Sequence, residues 1–201
     1  MIFNCTNNYQ FTTRLALSGE NIERLQNTKL LGTFITEDLK WDLNTKEIVR
    51  KANMSMAILR KMSKFGATIK EMKQIYFSFL RSHLEKNATL WHSSLSKKNQ
   101  NNLERVQKTA LKIILGNNHI SYKQALLKLN IDDLSTRREK LCFDFATKCT
   151  KHPKLKNMFP RSADTKAKKS NKKYFVQYAR TERLRKSAIL HMQRLLNRND
   201  N

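Results

Sequence analysis

Apolar residues recur at every third or fourth position over residues 103 to 116, where the chain reads LERVQKTALKIILG. At about 100° per residue, this spacing predicts an amphipathic helix that ends at Gly116. The apolar side of the helix consists of Leu103, Val106, Ala110, Ile113 and Ile114. The opposite side carries Arg105, Lys108 and Lys112. The apolar side is expected to pack on a core. The basic side fits two interpretations, a solvated surface or a contact with an anion.

The same period predicts two helices upstream. The first runs from residue 44 to about residue 65, with Asn44 and Glu47 as a weak capping box and Gly66 as its stop. Its apolar stripe is Ile48, Ala52, Met56, Leu59 and Met62. Its outward stripe is Lys46, Arg50, Asn53, Lys61 and Lys64. The second helix begins at the capping box formed by Thr68 and Glu71. Its expected core stripe is Met72, Ile75, Tyr76, Phe79 and His83.

Further helices are expected on the C-terminal side. Ser96 caps the helix of residues 103 to 116, and a short helix follows over residues 121 to 130. The next helix has Thr136 and Glu139 as a capping box and ends before Pro153. The residues of that helix expected to face inward are Leu141, Phe145 and Cys149. A last amphipathic helix is predicted over TERLRKSAILHMQRLLN, residues 181 to 197.

Residues 1 to 36 have the character of strands instead. MIFNC, residues 1 to 5, is a short apolar run, and rough alternation surrounds a hairpin turn at residues 18 to 20. A third run, KLLGTFIT, is expected as one strand whose interior Gly32 marks a bulge or a close backbone approach. Four glycines and two prolines in the whole chain leave few breaks, so helices are expected to dominate.

These elements predict a mostly α-helical chain with a small β remnant at its N-terminal end. We expect a β-hairpin or sheet remnant over residues 1 to 41 and a helical bundle over residues 42 to 160. The lysine-rich stretch over residues 161 to 179 has little to bury and is expected to be a disordered linker. Residues 180 to 201 complete the chain as an amphipathic helix.

Composition limits the partners. The formal net charge is +24, from 40 basic and 16 acidic residues, and such an excess attracts polyanions. Nucleic acid is the expected partner; an anionic membrane surface is disfavoured because the apolar helix faces suffice to build a shared core. No apolar run approaches the ~20 residues of a membrane span. The three cysteines make no disulfide framework, which favours the cytoplasm or the nucleus.

The residue types used in catalysis do not form a convincing site. Asp132 and Asp133 are adjacent, but they precede a predicted helix, where Asp is favoured at the cap, and do not lie in a turn between strands. Cys142, Cys149 and His152 share one helix face without a fourth metal ligand, so core packing is the preferred interpretation. The remaining histidines, to which no catalytic role is assigned, are His83, His92, His119 and His191. We therefore expect no enzyme activity, metal or cofactor in this chain by itself.

Several strings occur in an order that resembles a known family. They are TKLLGTFITEDLKWDLNTKEIVRKAN, AILRKMSKFG, LWHSSLSKKNQNNLERVQKTALKIILG, LNIDDLSTRREKLCFDFATKC and HPKLKNMFP, spanning residues 28 to 160. Together they resemble the C-terminal part of the reverse transcriptases of LINE-type, non-LTR retrotransposons, especially the jockey-like group. In that family a strand element with Leu-Gly follows the catalytic palm, and a helical thumb follows that strand.

The resemblance implies that residues 42 to 160 are a thumb that holds the template–primer duplex through phosphate contacts. The residues expected to contact RNA, DNA or an RNA–DNA hybrid are Lys46, Arg50, Lys61, Lys64, Arg105, Lys108 and Lys112. The residues that match the family's primer-support element are Leu30, Leu31, Gly32 and Thr33.

The resemblance also places the family's catalytic aspartates, which bind Mg²⁺, upstream of residues found here. On this hypothesis Met1 is an internal methionine, the chain is a truncated copy, and the missing polymerase half is a possible partner in trans. The alternative is a self-standing basic helical protein that binds nucleic acid, of a ribosomal or chromatin type. That alternative explains the charge equally well, but it explains neither the strand fragment nor the order of the strings.

Overall fold

The structure is a computed structural model that describes residues 16–23, 25–165 and 172–198. The described chain is mostly helical, with small antiparallel two-stranded sheets at its N-terminal end, as predicted. The predicted strand over residues 1 to 5 lies outside the described residues. Each sheet is a local hairpin, because every strand pairs with its neighbour in sequence.

The first hairpin joins β1 (Ala16–Leu17) to β2 (Glu20–Asn21) and turns at Ser18 and Gly19, where the sequence predicted a turn. The second joins β3 (Asn27–Leu30) to β4 (Thr33–Thr36). The prediction of one strand over residues 29 to 36 was wrong. Leu31 and Gly32 both have positive φ angles, 48° and 79°, as in the two-residue turns that match the twist of a hairpin.

Helix α1 (Asp42–Lys64) begins two residues before the predicted start, with Trp41 as its N-cap. The predicted cap at Asn44 was wrong, because Asn44 is buried and its Oδ1 accepts a hydrogen bond from the backbone N–H of Phe34 at 3.2 Å. This bond ties β4 to α1. The predicted apolar stripe is confirmed, with Met62 partly buried at its end. Gly66, with φ 77°, follows the helix as its predicted stop.

The second helical segment changes geometry midway. It comprises α2 (Ile69–Ile75), a π-helical turn (Tyr76–Arg81) and α3 (Ser82–Glu85). The capping box of Thr68 and Glu71 is confirmed. The predicted core stripe was wrong beyond Tyr76: Phe79 is exposed and His83 is partly exposed, whereas Leu80 and Leu84 are buried. The predicted stripe used the α-helical i+3 and i+7 positions, Phe79 and His83. The π turn has more residues per turn, so Leu80 and Leu84, at i+4 and i+8 from Tyr76, lie on the buried face instead.

Short elements lead into the two long helices of the C-terminal side. Helix α4 (Ala88–Trp91) and a 3₁₀ turn (His92–Ser94) precede α5 (Lys97–Leu115). The predicted Ser96 cap of α5 is confirmed, because its hydroxyl accepts a hydrogen bond from the N–H of Asn99 at 3.2 Å. A second 3₁₀ turn (Gly116–Asn118) and helix α6 (Tyr122–Leu129) follow, and α6 matches the short helix that the sequence predicted.

Helix α7 (Leu134–Lys151) is capped by Asp133, whose carboxylate accepts a hydrogen bond from the N–H of Thr136 at 2.9 Å. The predicted capping box at Thr136 and Glu139 was therefore wrong. The buried line of α7 is Leu134, Arg138, Cys142, Ala146 and Cys149. Phe145, predicted to face inward, is 42% exposed because it lies beside that line. Buried Cys142 and Cys149 pack in the core, as expected.

The described residues of the C-terminal region make contacts that the linker prediction did not include. In the described ends of the expected linker, Arg161 pairs with Tyr174 in an antiparallel bridge, and Ser162 is buried. One 3₁₀ turn (Lys156–Met158) precedes this bridge, and a second (Ser162–Asp164) directly follows Arg161. The predicted last helix is divided into α8 (Glu182–Arg185) and α9 (Ala188–Arg198). At the break, the Lys186 carbonyl accepts hydrogen bonds from the hydroxyls of Ser93 and Ser94, each at 2.7 Å.

The described residues form two hydrophobic cores. The first lies between four parts of the chain: α1, the helical segment that runs from α2 to α4, helix α5 and helix α6. It includes Trp41, Trp91 and Leu134. The second lies between the C-terminal half of α7 and α9, and it includes Cys142, Phe159 and Met192. Helix α9 thus shares a core with α7, which the predicted separation of residues 180 to 201 did not anticipate.

Candidate nucleic-acid interface

The outward side of α5 presents three basic side chains without an ionic partner. Arg105, Lys108 and Lys112 are exposed, and none pairs with a carboxylate of the described residues. Lys108 Nζ lies 5.1 Å from the centre of the Tyr122 ring, a contact that leaves its positive charge in place. We call these three side chains the basic face of α5. The structure brings them together on one side of the helix, as the sequence predicted.

The contacts of Glu104 explain why Lys108 has no ionic partner on its own helix. Glu104 precedes Lys108 by four residues, the spacing at which glutamate and lysine pair on a helix surface. Instead, Glu104 Oε1 accepts hydrogen bonds from the Tyr122 hydroxyl and, at 3.4 Å, from the N–H of Leu134. Burial, with Glu104 as a further cause, raises the pKa of Tyr122, so the phenol keeps the proton that it donates. The carboxylate is thereby directed towards α6 and the start of α7.

Gln107, one turn further along, fixes the orientation of α5 from its buried side. Its Oε1 accepts a hydrogen bond from the Tyr76 hydroxyl at 2.5 Å. Its Nε2 donates to the Tyr122 hydroxyl and to the Asp132 carbonyl, both at 2.9 Å. Burial also raises the pKa of Tyr76, so this hydroxyl remains a donor. These bonds join α5 to the π turn, to α6 and to the loop before α7, and they hold its basic face towards solvent.

The predicted contact residues of α1 are less uniform. Lys46, Lys61 and Lys64 are exposed and have no ion pair with a described carboxylate. Arg50 differs, because its Nε and Nη2 donate to the two carboxylate oxygens of Glu47 at 2.8 and 2.9 Å. Lys51 lies 3.4 Å from the same carboxylate. The bond from Arg50 is the main cause that lowers the pKa of Glu47 to about 2. Arg50 is therefore a partly compensated cation, and its contact with nucleic acid stays a prediction.

Helices α1 and α5 pack side by side and run in the same direction. The bond that aligns their N-terminal ends is donated by Asn99 Nδ2 to Asp42 Oδ1 at 2.8 Å. With a rise of about 1.5 Å per residue, Lys61 and Lys64 lie towards the C-terminal end of α1. Lys112 lies towards the same end of α5. Lys61, Lys64 and Lys112 thus lie towards the same end of the pair, whereas Lys46 lies near the opposite end of α1.

The four residues matched to a primer-support element form the tip of the second hairpin. Leu30 and Leu31 are exposed, at 54% and 86%, and Leu31 and Gly32 make the turn. Thr33 is buried, and its hydroxyl accepts a hydrogen bond from Asn87 Nδ2 at 2.7 Å. The bulge or close backbone approach expected at Gly32 was wrong, because Gly32 lies in the turn, and the atom that a Cβ would meet, at 2.4 Å, is the flexible Nζ of Lys86. The hairpin therefore presents an apolar tip anchored beside α4.

The adjacent aspartates are used structurally. Asp133 caps α7, and Asp132 offers its backbone carbonyl to Gln107. This arrangement confirms the interpretation of the pair as a helix N-terminus. His152 is exposed at the C-cap of α7, whereas Cys142 and Cys149 are buried within the helix. Across the described ranges, no three His, Cys, Asp or Glu side chains are grouped so that they could bind a metal ion.

Sequence analysis missed a buried cluster where α4, α7 and α9 meet. Arg138 is fully buried, its Nε donates to His92 Nδ1 at 3.4 Å, and its guanidinium lies 5.6 Å from the centre of the Trp91 ring. The rings of His92 and His191 are 5.9 Å apart, edge to face. Burial is the main cause that lowers the pKa of His92 to about 4. The only sequence signal for this cluster was the position of Arg138, four residues after Leu134 on the buried line.

These contacts give His191 a structural position, whereas His119 follows the 3₁₀ turn after α5 and is partly exposed.

None of the helices in the described part of the chain is long and apolar enough to cross a membrane. Comparisons with protein-family models, with curated proteins and with solved structures found no match to this chain.

Proposed function

We propose that this chain binds nucleic acid, and that the basic face of α5 makes contact with the phosphate backbone. The observation that carries the proposal is the inward direction of Glu104, which leaves Lys108 without its i,i+4 partner beside Arg105 and Lys112, which also have no carboxylate partner among the described residues. A net charge of +24 adds long-range attraction for a polyanion. Contacts of this kind position a protein on its ligand without reading sequence, so the binding is sequence-tolerant.

We further infer that the helical region serves as the thumb of a retrotransposon reverse transcriptase and holds a template–primer duplex. The resemblance supports this inference, and its strings contain three of the residues that make buried polar contacts, namely Trp91, Gln107 and Arg138. An RNA–DNA hybrid is close to A-form, and its wide, shallow minor groove admits a helix surface. Lys46, Lys61 and Lys64 extend the phosphate contacts along α1.

The hairpin tip fits the same proposal. Exposed Leu30 and Leu31 project beside anchored Thr33, and the resemblance matches these residues to the family's element that supports the primer end. The upstream polymerase half, supplied in trans, is the protein partner that this role implies. The compartment would be the cytoplasm or the nucleus, where such a nucleic acid occurs.

By itself the chain is expected to be catalytically silent. Two-metal nucleotidyl transfer uses carboxylates that converge on metal ions, whereas the Asp133 carboxylate is engaged in capping α7. A primer-extension assay on RNA and DNA templates with Mg²⁺ or Mn²⁺ is expected to show no product above a buffer control. Extension that Asp132→Ala abolishes would contradict this expectation.

The alternative, a self-standing basic helical protein, is favoured by one observation. The second hairpin is bound to the helices through the contacts of Phe34 with Asn44 and of Thr33 with Asn87. A strand fragment cut from a larger sheet would be marginal alone. Limited proteolysis discriminates, since the thumb proposal expects early cleavage before Trp41. Equal resistance of residues 25 to 41 and the helices would favour the alternative.

Binding itself is tested by fluorescence anisotropy with two RNA–DNA hybrids of unrelated sequence. The proposal expects affinities equal within about threefold for the two sequences. It also expects a slope of log K against log salt of about −3 or steeper, which corresponds to three or more phosphates. Absence of binding at low salt, or an affinity that salt does not change, would contradict the proposed function.

A further inference from the structure

The turn between α1 and α2 carries an exposed aromatic side chain for which the fold provides no partner. Phe65 is the C-cap of α1 and is 81% exposed, although phenylalanine normally lies in a core. Its backbone N–H is bonded to the Lys61 carbonyl at 3.1 Å, so the position of its backbone is set by the last turn of the helix. The side chain is therefore presented to solvent by a rigid element.

Exposed cations lie close to this phenylalanine in the sequence, on both sides of it. The exposed basic residues in the last turn of α1 and the first turn of α2 are Arg60, Lys61, Lys64 and Lys70. None of these four pairs with a carboxylate of the described residues. The one carboxylate nearby is that of Glu71, which accepts hydrogen bonds from the N–H and the hydroxyl of Thr68, both at 2.8 Å. The turn therefore combines an accessible ring with uncompensated positive charge.

We propose that Phe65 stacks on an unpaired base of single-stranded RNA or DNA, while Lys61, Lys64 and Lys70 contact the phosphates on either side of that base. Aromatic rings in a basic setting are the usual platform for single strands, because every base offers a flat face. Bases within a duplex are already stacked and do not offer that face. The turn thus contacts the single-stranded portion of a ligand whose duplex portion lies against α5.

A lipid surface fits the site less well. Ile58 and Met54 are also exposed along α1, but Lys61 separates them from Phe65. A helix that lies in a membrane interface needs a broad apolar face. The broad apolar face of α1, which includes Ala52, Met56 and Leu59, is instead buried in the first core. Outside the core, Met54, Ile58 and Phe65 form only a narrow stripe that Lys61 interrupts, and Ile69 is exposed at the start of α2. The flat ring of Phe65 offers a face for one base.

This inference rests on the proposed function, and the experiment separates the two. Full-length wild type and Phe65→Ala are titrated with a single-stranded oligouridine of about twelve nucleotides and with a blunt RNA–DNA hybrid. Phe65→Ala is expected to weaken binding to the single strand about tenfold and to change binding to the hybrid by less than about twofold. The matched control is Phe79→Ala, which removes another exposed phenylalanine, 48% accessible, outside the turn.

Phe65→Trp supplies an independent measurement. The native tryptophans, Trp41 and Trp91, are buried, so a tryptophan at position 65 would be an exposed reporter. Stacking is expected to restore the affinity for oligouridine and to quench the added fluorescence when it binds. The hybrid is expected to leave that fluorescence unchanged.

Each other outcome has a definite meaning. Equal losses for Phe65→Ala on the single strand and on the hybrid would overturn the inference, since Phe65 would then act on duplex or on the fold. Both proteins are also titrated with vesicles of anionic phospholipid. If Phe65→Ala weakens binding only to the vesicles, the inference is overturned as well, since the ring would then belong to a membrane surface. If the wild type binds the hybrid, and Phe65→Ala changes the affinity for neither the hybrid nor the single strand, this inference alone is overturned. Wild-type protein that binds neither ligand would overturn the proposed function as well.

Discussion

Helices α1 and α5 lie side by side and run in parallel, yet their charges are treated differently. In both helices a glutamate precedes a lysine by four residues, Glu47 before Lys51 and Glu104 before Lys108. Glu47 remains at the surface and binds Arg50 and Lys51. Glu104 is drawn inward by the Tyr122 hydroxyl. The same local pattern thus yields a partly neutralised stripe on α1 and an uncompensated face on α5.

The difference extends to the buried sides of the two helices. The buried side of α1 has polar Asn44 and Thr45 in its first turn, and from Ile48 to Leu59 it is apolar except at Ser55. The buried side of α5 includes Gln107, which is hydrogen-bonded to two tyrosines. Polar groups in a core specify one orientation of the helices that carry them, because any other arrangement leaves them unsatisfied. The comparison teaches that a basic surface can depend on polar contacts made beneath it.

The largest expected effect comes from removing the polar contact beneath α5. Gln107→Leu leaves the buried Tyr76 hydroxyl and the Asp132 carbonyl without their partner, at a cost of about 3 kcal/mol in the free energy of unfolding. Ser55→Ala, at a buried polar position of α1, is expected to cost less than about 1 kcal/mol. Urea denaturation measures both changes. Equal costs at the two positions would remove the distinction between the helices.

Acid is expected to lower the free energy of unfolding through His92, in the buried cluster where α4, α7 and α9 meet. The folded pKa of His92 is about 4, below its usual 6.5, so the unfolded chain binds this proton more readily. Stability is therefore complete above pH 6.5 and falls by about 3 kcal/mol as the pH drops to 4. The next causes after burial are the charges of Arg138 and His191, which also oppose protonation.

Urea denaturation at a series of pH values checks this expectation. His92→Asn is expected to flatten the acid loss, because an amide oxygen still accepts a bond from Arg138 but does not titrate. His152→Gln, at an exposed site, is the matched control and should leave the profile unchanged. A wild-type profile that stays flat between pH 6.5 and 4 would contradict the placement of His92.

A smaller and reciprocal effect is expected from the two glutamate contacts. Glu47→Gln frees Arg50 and Lys51 and is expected to raise the affinity for a hybrid about threefold at low salt. Tyr122→Phe removes the donor that holds Glu104, so the carboxylate is free to approach Lys108 and the affinity falls by about the same factor. Anisotropy titrations measure both. Changes of the same sign in the two variants would show that the glutamates do not control the surface charge.

Much of the fold could be predicted from the sequence because its helices are strongly amphipathic. The stripe of α1, the stop at Gly66 and the capping box at Thr68 depend on local spacing and were confirmed. The failures occurred where tertiary contacts override local rules. Asn44 binds Phe34 instead of capping α1, and the π turn moves Phe79 out of the core.

The candidate site divides in the same way. Exposure of the basic face of α5 followed from helical period alone, and the structure has it so. Whether those cations are neutralised did not follow, because the partner of Glu104 lies eighteen residues away on another helix. The pairing of Arg50 with Glu47 is local, at a spacing of three residues, so the sequence alone could have predicted it. The burial of Arg138 depends on Trp91 and His92, which no local pattern connects to it.

The central claim is that uncompensated cations on α5, rather than total charge, make the contact with nucleic acid. The direct test compares two triple variants with equal loss of charge. One replaces Arg105, Lys108 and Lys112 by glutamine. The other replaces Arg50, Lys51 and Lys186, each of which already pairs with a carboxylate.

The measurement is the slope of log K against log salt for an RNA–DNA hybrid. The account predicts a slope flatter by about two to three units for the α5 variant and by less than about one unit for the variant of paired cations. Equal slopes in the two variants would contradict the account, because total charge would then determine binding and the basic face of α5 would be an ordinary solvated surface.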